Sequence, residues 1–220
     1  MAYGIQIEAW GKYALFSRPE MKTERVSYDL ITPSAARGVI EAVYWHPGMR
    51  WIIDSIYVCN PIRFTNIRRN EVSQKISASN VREVINGKNT PLYLNAAEAI
   101  QQRASLVLTD VRYIISAHFE MTKRAGAEDT PEKFYAMTCV RLKTGKHFSQ
   151  PYFGCREFPA NVRLHEGTLP PVPEELRGNR ELGYILFDMD YSDPREIRPQ
   201  FFRAALVDGL LDLKDCGVVS

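Results

Sequence analysis

The sequence lacks the features that would place it in a membrane, secreted or metal-binding class. No uninterrupted apolar run in its 220 residues reaches the roughly 20 needed to cross a bilayer, and residues 1–8 do not resemble a signal peptide. The four cysteines are far apart and form no C-x-x-C pair, which argues against a disulfide framework or zinc site and favours a reducing cytosol. His46, His147 and His165 have no partners at metal-ligand spacing, so neither a metal nor another cofactor is predicted.

The net charge is small, but it is unevenly distributed. The whole chain carries 28 Lys/Arg and 26 Asp/Glu, a formal charge of +2. Residues 1–150 contain 20 basic and 14 acidic residues, whereas residues 151–220 contain 8 and 12. A basic first part suggests a surface for a polyanion such as nucleic acid. Ordinary surface charge, spaced by chance, is an equally good interpretation of charge alone.

The first sixty residues predict a strand, a helix and a second strand. Apolar residues alternate over residues 4–10, which is typical of a half-buried strand. Thr32-Pro33 is a good helix start, with a hydroxyl N-cap before proline, and Pro47-Gly48 ends the helix. Residues 51–58 are apolar and β-branched enough for the second strand.

The pattern then repeats. Residues 107–121 alternate most strongly, which places Ser116 and His118 together on the polar face of a strand. Thr130-Pro131 starts another helix, Gly145 ends it, and residues 152–164 read as a further strand. The order strand, helix, strand, strand, helix, strand predicts an α+β fold with a ferredoxin-like (RRM-type, βαββαβ) domain over residues 1–166.

Two segments lie outside this repeat. Residues of about 60–105 form a long basic insertion, for which we predict a short helix near residues 96–102. Residues 167–220 are predicted as a second unit, in which a proline-rich linker at 169–173 is followed by a small antiparallel β appendage. Within it, Asp208-Gly209 between apolar runs predicts a hairpin turn.

Several motifs, in order, resemble the CRISPR-associated RAMP superfamily, in particular its subtype I-C, Cas-five-d type, over nearly the whole chain. The motifs that carry the resemblance are Trp10 with Tyr13-Ala14-Leu15-Phe16, Tyr44-Trp45-His46-Pro47, Asn60-Pro61-Ile62, Ala117-His118-Phe119-Glu120 and Gly154-Cys155-Arg156-Glu157-Phe158. The resemblance implies an endoribonuclease that cleaves precursor CRISPR RNA (crRNA) at the base of the repeat hairpin. It also implies that the protein stays on the crRNA 5′ handle in the Cascade complex, beside a backbone subunit and a large subunit.

The resemblance further implies a catalytic set. The family uses a helix-terminal tyrosine, a histidine in the third-strand region and a nearby lysine. The first two match Tyr44 and His118. The lysine is not matched, because Ser116-Ala117 precede His118 and the nearest lysine is Lys123.

Metal-independent RNA cleavage needs a base for the 2′-OH proton, an acid for the leaving oxygen and a cation for the charged phosphorane. His118 can be the acid or the base, since an ordinary histidine titrates near neutrality. Tyr44 is better suited to orienting the 2′-OH, and Lys123, Lys143 or Lys146 could supply the cation. The alternatives are an anchoring Tyr44 with a buried ring and a structural His118.

Two segments predict RNA contacts. The first runs from Lys143 to Lys146 and His147 around Gly145, where a glycine lets backbone approach a phosphate; the alternative is a simple glycine C-cap with solvated lysines. The second is a basic run with one interleaved aromatic residue for base stacking, and its alternative is a solvated edge strand. Its members are Arg63, Phe64, Arg68 and Arg69.

Three functions therefore remain open at the level of sequence. The leading prediction is the endoribonuclease. A second is a non-catalytic crRNA 5′-handle-binding assembly subunit of Cascade, which the missing lysine favours. A third is a ferredoxin-like protein-interaction module without a basic groove.

Overall fold

The computed structural model describes residues 3–21 and 23–219, and β-structure dominates these residues. Within these residues, no helix has the length and apolar character required to cross a membrane. The elements in chain order are β1 (Gly4–Ala14), β2 (Arg25–Val26), α1 (Pro33–Val43), β3 (Met49–Val58), β4 (Phe64–Val72), α2 (Ala78–Ile85), β5 (Ile100–Met121), α3 (Pro131–Thr144), β6 (Asn161–Leu164), β7 (Asn179–Asp190), β8 (Arg198–Val207), β9 (Leu210–Asp212) and β10 (Val218–Val219).

Four strands form the centre of the sheet in the order β6-β1-β5-β3, and each neighbouring pair is antiparallel. The α1 helix packs against β3, the α3 helix packs against β6, and the two helices touch each other. The main elements therefore follow one another as strand, helix, strand, strand, helix, strand, with β2 and the β4–α2 segment inserted. The structure is similar in this respect to the mixed α/β arrangement predicted from the sequence.

The two faces of this sheet differ in character. On one face, which we call the helix-covered face, Ile7, Ile115 and Phe119 are buried in the core beneath α1 and α3. On the opposite face, which we call the open face, β5 presents polar side chains such as Ser116 and His118, although Ile114 and Tyr57 on the same face are buried. This follows from the two-residue period of a strand, which sends successive side chains to opposite faces.

The predicted start of each helix and the glycine end of α3 are confirmed, whereas α1 ends at Val43, before the predicted stop at Pro47-Gly48. Thr32 caps α1, because its hydroxyl oxygen accepts a hydrogen bond from the Ala35 amide at 3.3 Å. Thr130 caps α3 in the same way, through the Lys133 amide. Gly145 ends α3 in the left-handed conformation, with φ of 68°. Both helices are therefore anchored where the sequence indicated.

The helix predicted near residues 96–102 is wrong. Residues 100–102 belong to β5, where they pair with the end of β4, and the helix of the insertion is α2 at Ala78–Ile85. The β4 strand runs along the first half of β5, so the two ends of the insertion form a two-stranded arm, and residues 73–99 with α2 connect its strands. Backbone pairing with β4 decides the conformation of a segment whose own sequence has no strong strand pattern.

The strand predicted at residues 152–164 is also mostly wrong, since only Asn161–Leu164 is a strand. Gly154 has a φ of +75°, and a Cβ added there would lie 1.9 Å from the Leu15 carbonyl oxygen. A left-handed residue pressed against another backbone interrupts a regular strand, and only glycine fits.

The Asp208-Gly209 turn is confirmed. Both residues have positive φ, 49° and 77°, and the flanking Val207 and Leu210 pair across the turn. The β9 strand after the turn pairs with β3, so the C-terminal strands continue the central sheet. Phe202 belongs to the same core cluster as the residues beneath α1 and α3.

Candidate active site and RNA-binding surfaces

His118 forms a direct pair with a carboxylate on the open face. Its Nδ1 lies 2.8 Å from Oδ1 of Asp54, and each side chain is about one quarter exposed (25%). Because a carboxylate can only accept, Asp54 holds the histidine proton on Nδ1 and leaves Nε2 directed elsewhere. An imidazole held in one orientation with one free nitrogen is what general acid–base catalysis requires.

A β-bulge places Asp54 in this position. Ile53 pairs with Ala117 and Ser55 pairs with Ser116, so Asp54 is the extra residue that has no partner of its own on β5. Bulges re-aim side chains, and they are frequent beside active sites. The sequence shows only a polar residue in an apolar strand and does not reveal the bulge.

An open cavity of about 310 Å³, lined by Asp54 and by both polar and apolar residues, lies next to this pair. Gln6 donates to the Ser116 hydroxyl at 3.2 Å, and both residues line the cavity together with Asp54. Lys143 reaches its rim through Glu166, with 2.7 Å between the ammonium nitrogen and the carboxylate. The volume suits a nucleotide-sized group, and the lining can bind its polar atoms.

A buried carboxylate fixes two arginines elsewhere on the open face. Glu8 is 3% exposed and accepts from Arg112 at 2.7 Å and from Arg163 at 2.6 Å. Burial alone raises the pKa of Glu8, but the hydrogen bonds from Arg163 and Arg112 outweigh it and hold the pKa below its usual value. The Arg163 guanidinium lies 5.3 Å from the Trp10 ring centroid. This cluster adds two ordered cations to the open face.

Tyr44 lies on the helix-covered face instead. Its ring is 6.2 Å from that of Phe134, which in turn is 6.2 Å from Phe119, and the Arg141 guanidinium lies 5.0 Å from the Tyr44 centroid. Burial raises the pKa of Tyr44, although Arg141 opposes the rise. Since His118 alternates with Phe119 along β5, the sheet separates Tyr44 from His118. This placement does not favour joint action of the two residues, which stays a prediction.

A second histidine–carboxylate pair lies on the helix-covered side. His46 Nδ1 accepts the Gly48 backbone N–H at 3.0 Å and is 3.7 Å from Oδ2 of Asp129. Its ring packs 5.0 Å from Phe134. Lys123 is exposed in the turn after β5, where the neighbouring Thr122 amide donates to Gly48.

The predicted RNA contacts of the arm fall into two groups. Arg63, Phe64 and Arg68 are exposed, and Phe64 and Arg68 share one face of β4. Arg69 points to the other face, where it pairs with Glu157 and lies 4.9 Å from the Phe158 ring centroid. Arg68 is therefore available to RNA, whereas Arg69 already ties the arm to the body of the protein.

The segment after α3 is exposed as predicted. Lys146 and His147 are exposed just beyond Gly145, and Phe148 follows with 81% of its surface exposed. The Phe148 amide donates to the carbonyl oxygen of Ala42 at 2.9 Å, so its backbone is anchored while its ring faces solvent. An anchored, exposed aromatic ring next to two basic side chains is suited to stacking on a base.

Comparison with known proteins gives the family. The model of a family described as CRISPR-associated protein (Cas_Cas5) matches residues 4–214. The chain belongs to this CRISPR-associated Cas5 family.

Two curated relatives of this Cas5 chain carry the same name, "CRISPR pre-crRNA endoribonuclease Cas5d". One, from Mannheimia succiniciproducens, is 46% identical over 217 residues, which are 97% of this chain and 96% of that protein. The other, from Thermus thermophilus, is 36% identical over 226 residues, 95% of this chain and 90% of that protein. A solved structure titled "Crystal Structure of CRISPR-associated Protein" shares the fold, with a TM-score of 0.69 at 21% identity over 99% of this chain and 96% of that one.

Sequence reasoning missed three features of this Cas5 site. Asp54 was missed because the sequence pattern of an apolar strand does not reveal a β-bulge. Glu8 and Arg112 fall on polar faces of predicted strands, but their meeting depends on strand register, which the sequence does not state. Phe148 was passed over because a single aromatic residue after a helix is ordinarily assumed to be buried.

Proposed function

We propose that this Cas5-family chain is an endoribonuclease that cleaves precursor crRNA at the base of the repeat hairpin. Support comes from the two relatives named as pre-crRNA endoribonucleases, which match nearly the full chain. The protein then stays on the crRNA 5′ handle as a subunit of the type I-C Cascade complex, in contact with a backbone subunit and the large subunit. Its place of action is the cytoplasm, where free thiols such as that of the buried Cys59 persist.

The fold proposed for this activity is a ferredoxin-like domain over residues 1–166 with a C-terminal appendage over residues 167–220. The order β6-β1-β5-β3, with α1 and α3 on one face, supports the first part. This arrangement leaves the part of the open face around Ser116 and His118 available to RNA, flanked by the basic arm, whereas Pro170 and Val172 contact the buried part around Tyr57.

The proposed reaction is metal-independent. The 2′-OH attacks its own 3′ phosphate, which leaves a 2′,3′-cyclic phosphate and a 5′-OH. His118 transfers a proton through Nε2, and Asp54 holds the ring in the required orientation. Lys143, at the rim of the same cavity, supplies positive charge for the phosphorane when RNA displaces Glu166. The 2.8 Å contact between His118 and Asp54, beside an open cavity, is the observation that carries this assignment.

RNA binding is proposed to extend from this centre onto two basic surfaces. Arg63, Phe64 and Arg68 on the arm would bind backbone and one base. Lys146 and His147 would bind phosphates beyond α3. These residues are exposed in the structure, as such contacts require.

The decisive assay is cleavage of a labelled repeat hairpin in excess EDTA. We expect one cut, with a cyclic phosphate on the upstream product and a hydroxyl on the downstream one, identified by mass spectrometry. Strict dependence on added Mg²⁺, or products with a 3′-OH, would reject the mechanism.

The second candidate is a 5′-handle-binding subunit that does not cleave. The family's lysine is not matched, because Ser116-Ala117 precede His118, and Glu166 already neutralises Lys143; both observations favour this alternative. It predicts tight binding of the same hairpin with no cut in EDTA or in Mg²⁺.

A further inference from the structure

We propose that His165 is the second proton-transfer group of the cleavage centre, acting opposite to His118. The inference rests on the proposed function and deepens it. Cleavage by the 2′-OH needs a base at the attacking oxygen and an acid at the leaving oxygen, and one histidine cannot hold both positions at once. Neither composition nor motif spacing singled out His165.

Strand pairing puts His165 on the open face. Leu164, the last residue of β6, pairs with Ile7, whose side chain is buried on the helix-covered face. The next residue, His165, points the opposite way because strand side chains alternate, and its amide continues the pairing by donating to the Gln6 carbonyl oxygen at 2.8 Å.

His165 shares a cavity with the partner of His118. Gln6 lies between His165 on one side and Ser116 on the other, and its amide donates to the Ser116 hydroxyl. His165, Ser116 and Asp54 all line the open cavity of about 310 Å³. A phosphodiester entering that space would meet histidine-bearing strands from both sides.

The hydrogen bonding of His165 is incomplete. Its Nε2 is buried and has no hydrogen-bond partner among residues 3–21 and 23–219. A buried polar atom left without a partner costs stability, and such atoms in folded proteins call for an explanation such as catalysis or ligand binding. Because His165 lines the cavity, a turn of its ring toward that space would let a substrate oxygen supply the missing partner.

The two histidines differ in their surroundings, which assigns their roles. Asp54 stabilises the imidazolium that forms when His118 Nε2 takes the 2′ proton, so His118 is the base. His165 is the acid. The 2′-oxygen–phosphorus bond forms, the bond from phosphorus to the 5′-oxygen breaks, and a proton from protonated His165 goes to that oxygen. Atoms and charge balance without a further reactant.

The test uses two RNA hairpins in EDTA under single-turnover conditions. One is the natural repeat, and the other has sulfur in place of the bridging 5′-oxygen at the cut. A thiolate leaves without being protonated, so loss of the acid matters only for the natural RNA. We expect His165→Ala to slow cleavage of the natural RNA by roughly 10²- to 10⁴-fold. The same variant should cleave the sulfur-containing RNA at close to the unsubstituted rate.

Three comparisons complete the design. His118→Ala, which lacks the base, should be slow on both substrates. His46→Gln, on the helix-covered face, serves as the matched control and should match the unsubstituted protein on both. His165→Gln, with its melting temperature and RNA affinity measured, provides a second variant of similar size and polarity in case the alanine substitution unfolds the protein.

Normal cleavage of natural RNA by either folded His165 variant would overturn the assignment. An equal loss on both substrates would also overturn it, by showing that His165 only positions the site. If the unsubstituted protein cleaves neither RNA, the proposed function itself fails.

Discussion

Each face of the central sheet carries a histidine next to an aspartate, and the two pairs are built differently. On the open face, His118 and Asp54 stand on paired strands, 2.8 Å apart, with Nδ1 donating to the carboxylate. On the helix-covered side, His46 Nδ1 accepts a backbone N–H from Gly48, and Asp129 is 3.7 Å away. A neutral His46 therefore carries its proton on Nε2, and Asp129 cannot orient it as Asp54 orients His118.

The surroundings also favour the His118–Asp54 pair as the catalytic one. His46 and Tyr44 both pack against Phe134, within a run of aromatic rings that belongs to the core. The open face instead offers a cavity, hydrogen-bonding side chains and the arginines held by Glu8. Proximity of a histidine to a carboxylate is therefore not enough to identify a catalytic pair. The donor direction and the room for substrate distinguish a candidate catalytic pair from a packing contact.

The largest contrast should come from removing one histidine at a time. His118→Ala should lower the single-turnover cleavage rate by roughly 10²- to 10⁴-fold, the usual loss for an acid or base, while RNA affinity changes little. The matched variant His46→Ala should cleave at nearly the unsubstituted rate. Rates in EDTA and dissociation constants measured on a 2′-deoxy substrate separate the two effects. If His118→Ala loses RNA affinity and cleavage rate to the same extent, His118 has a structural role and is not the acid or base.

Removing the orienting carboxylate should have the next largest effect. Asp54→Asn should lower the single-turnover cleavage rate at saturating protein by about 10- to 100-fold, by analogy with the groups that orient metal-bound histidines, with RNA affinity almost unchanged. Asp129→Asn is the control on the other side. A loss of RNA affinity at a constant saturating rate would show that Asp54 binds RNA and does not orient His118. Partial recovery in Asp54→Glu would support the orienting role.

The two neighbouring arginines of the arm offer a third comparison. Arg68→Ala should reduce the slope of log affinity against log salt by about 0.7, the value for one lost phosphate contact on single-stranded RNA. Arg69→Ala should change that slope less, because Arg69 pairs with Glu157 and lies over Phe158. Filter binding at four salt concentrations measures both. Equal slopes for Arg68→Ala and the unsubstituted protein would show that Arg68 contacts no phosphate and is only a solvated surface residue.

The smallest effect is expected at Tyr44. Tyr44→Phe keeps the ring that packs against Phe134 and removes only the hydroxyl, so cleavage should slow by less than about twofold, well below the loss of an acid or base. The measurement is the same single-turnover rate. A loss of cleavage rate as large as that of His118→Ala would show that the Tyr44 hydroxyl takes part in the reaction, and would contradict the separation of the two residues by the sheet.

The sequence predicted most of what local chemistry controls. The hydroxyl caps at Thr32 and Thr130 and the turn glycine at 209 were recognised because each satisfies a backbone requirement within a few residues. The alternation of residues 107–121 correctly placed Ser116 and His118 on one face. Alternation alone does not say which face the helices cover, and for that reason the sequence could not show that Tyr44 packs on the helix-covered face and His118 on the open face.

What the sequence could not predict depends on distant backbone. Asp54 reaches His118 through a register shift between β3 and β5, and Gly154 is held by the Leu15 carbonyl on another segment. Residues 100–102 are strand because β4 lies beside them. Each case is decided by a partner far away in the chain, which short-range patterns do not contain. The assignments of Lys123, Lys146 and His147 stay predictions.

Mapping where the reacting phosphate binds is the most direct test of whether cleavage takes place on the open face. A repeat hairpin with a 2′-deoxy nucleotide at the cut cannot react, and a photoreactive base next to that position can be crosslinked to the bound protein and mapped by peptide sequencing. If the reacting phosphate binds on the open face, crosslinks are expected in the strand segments around Gln6, Ser116 and His165. Crosslinks confined to residues 44–48 or to the turn at 122–125 would contradict it and move the chemistry to the helix-covered face.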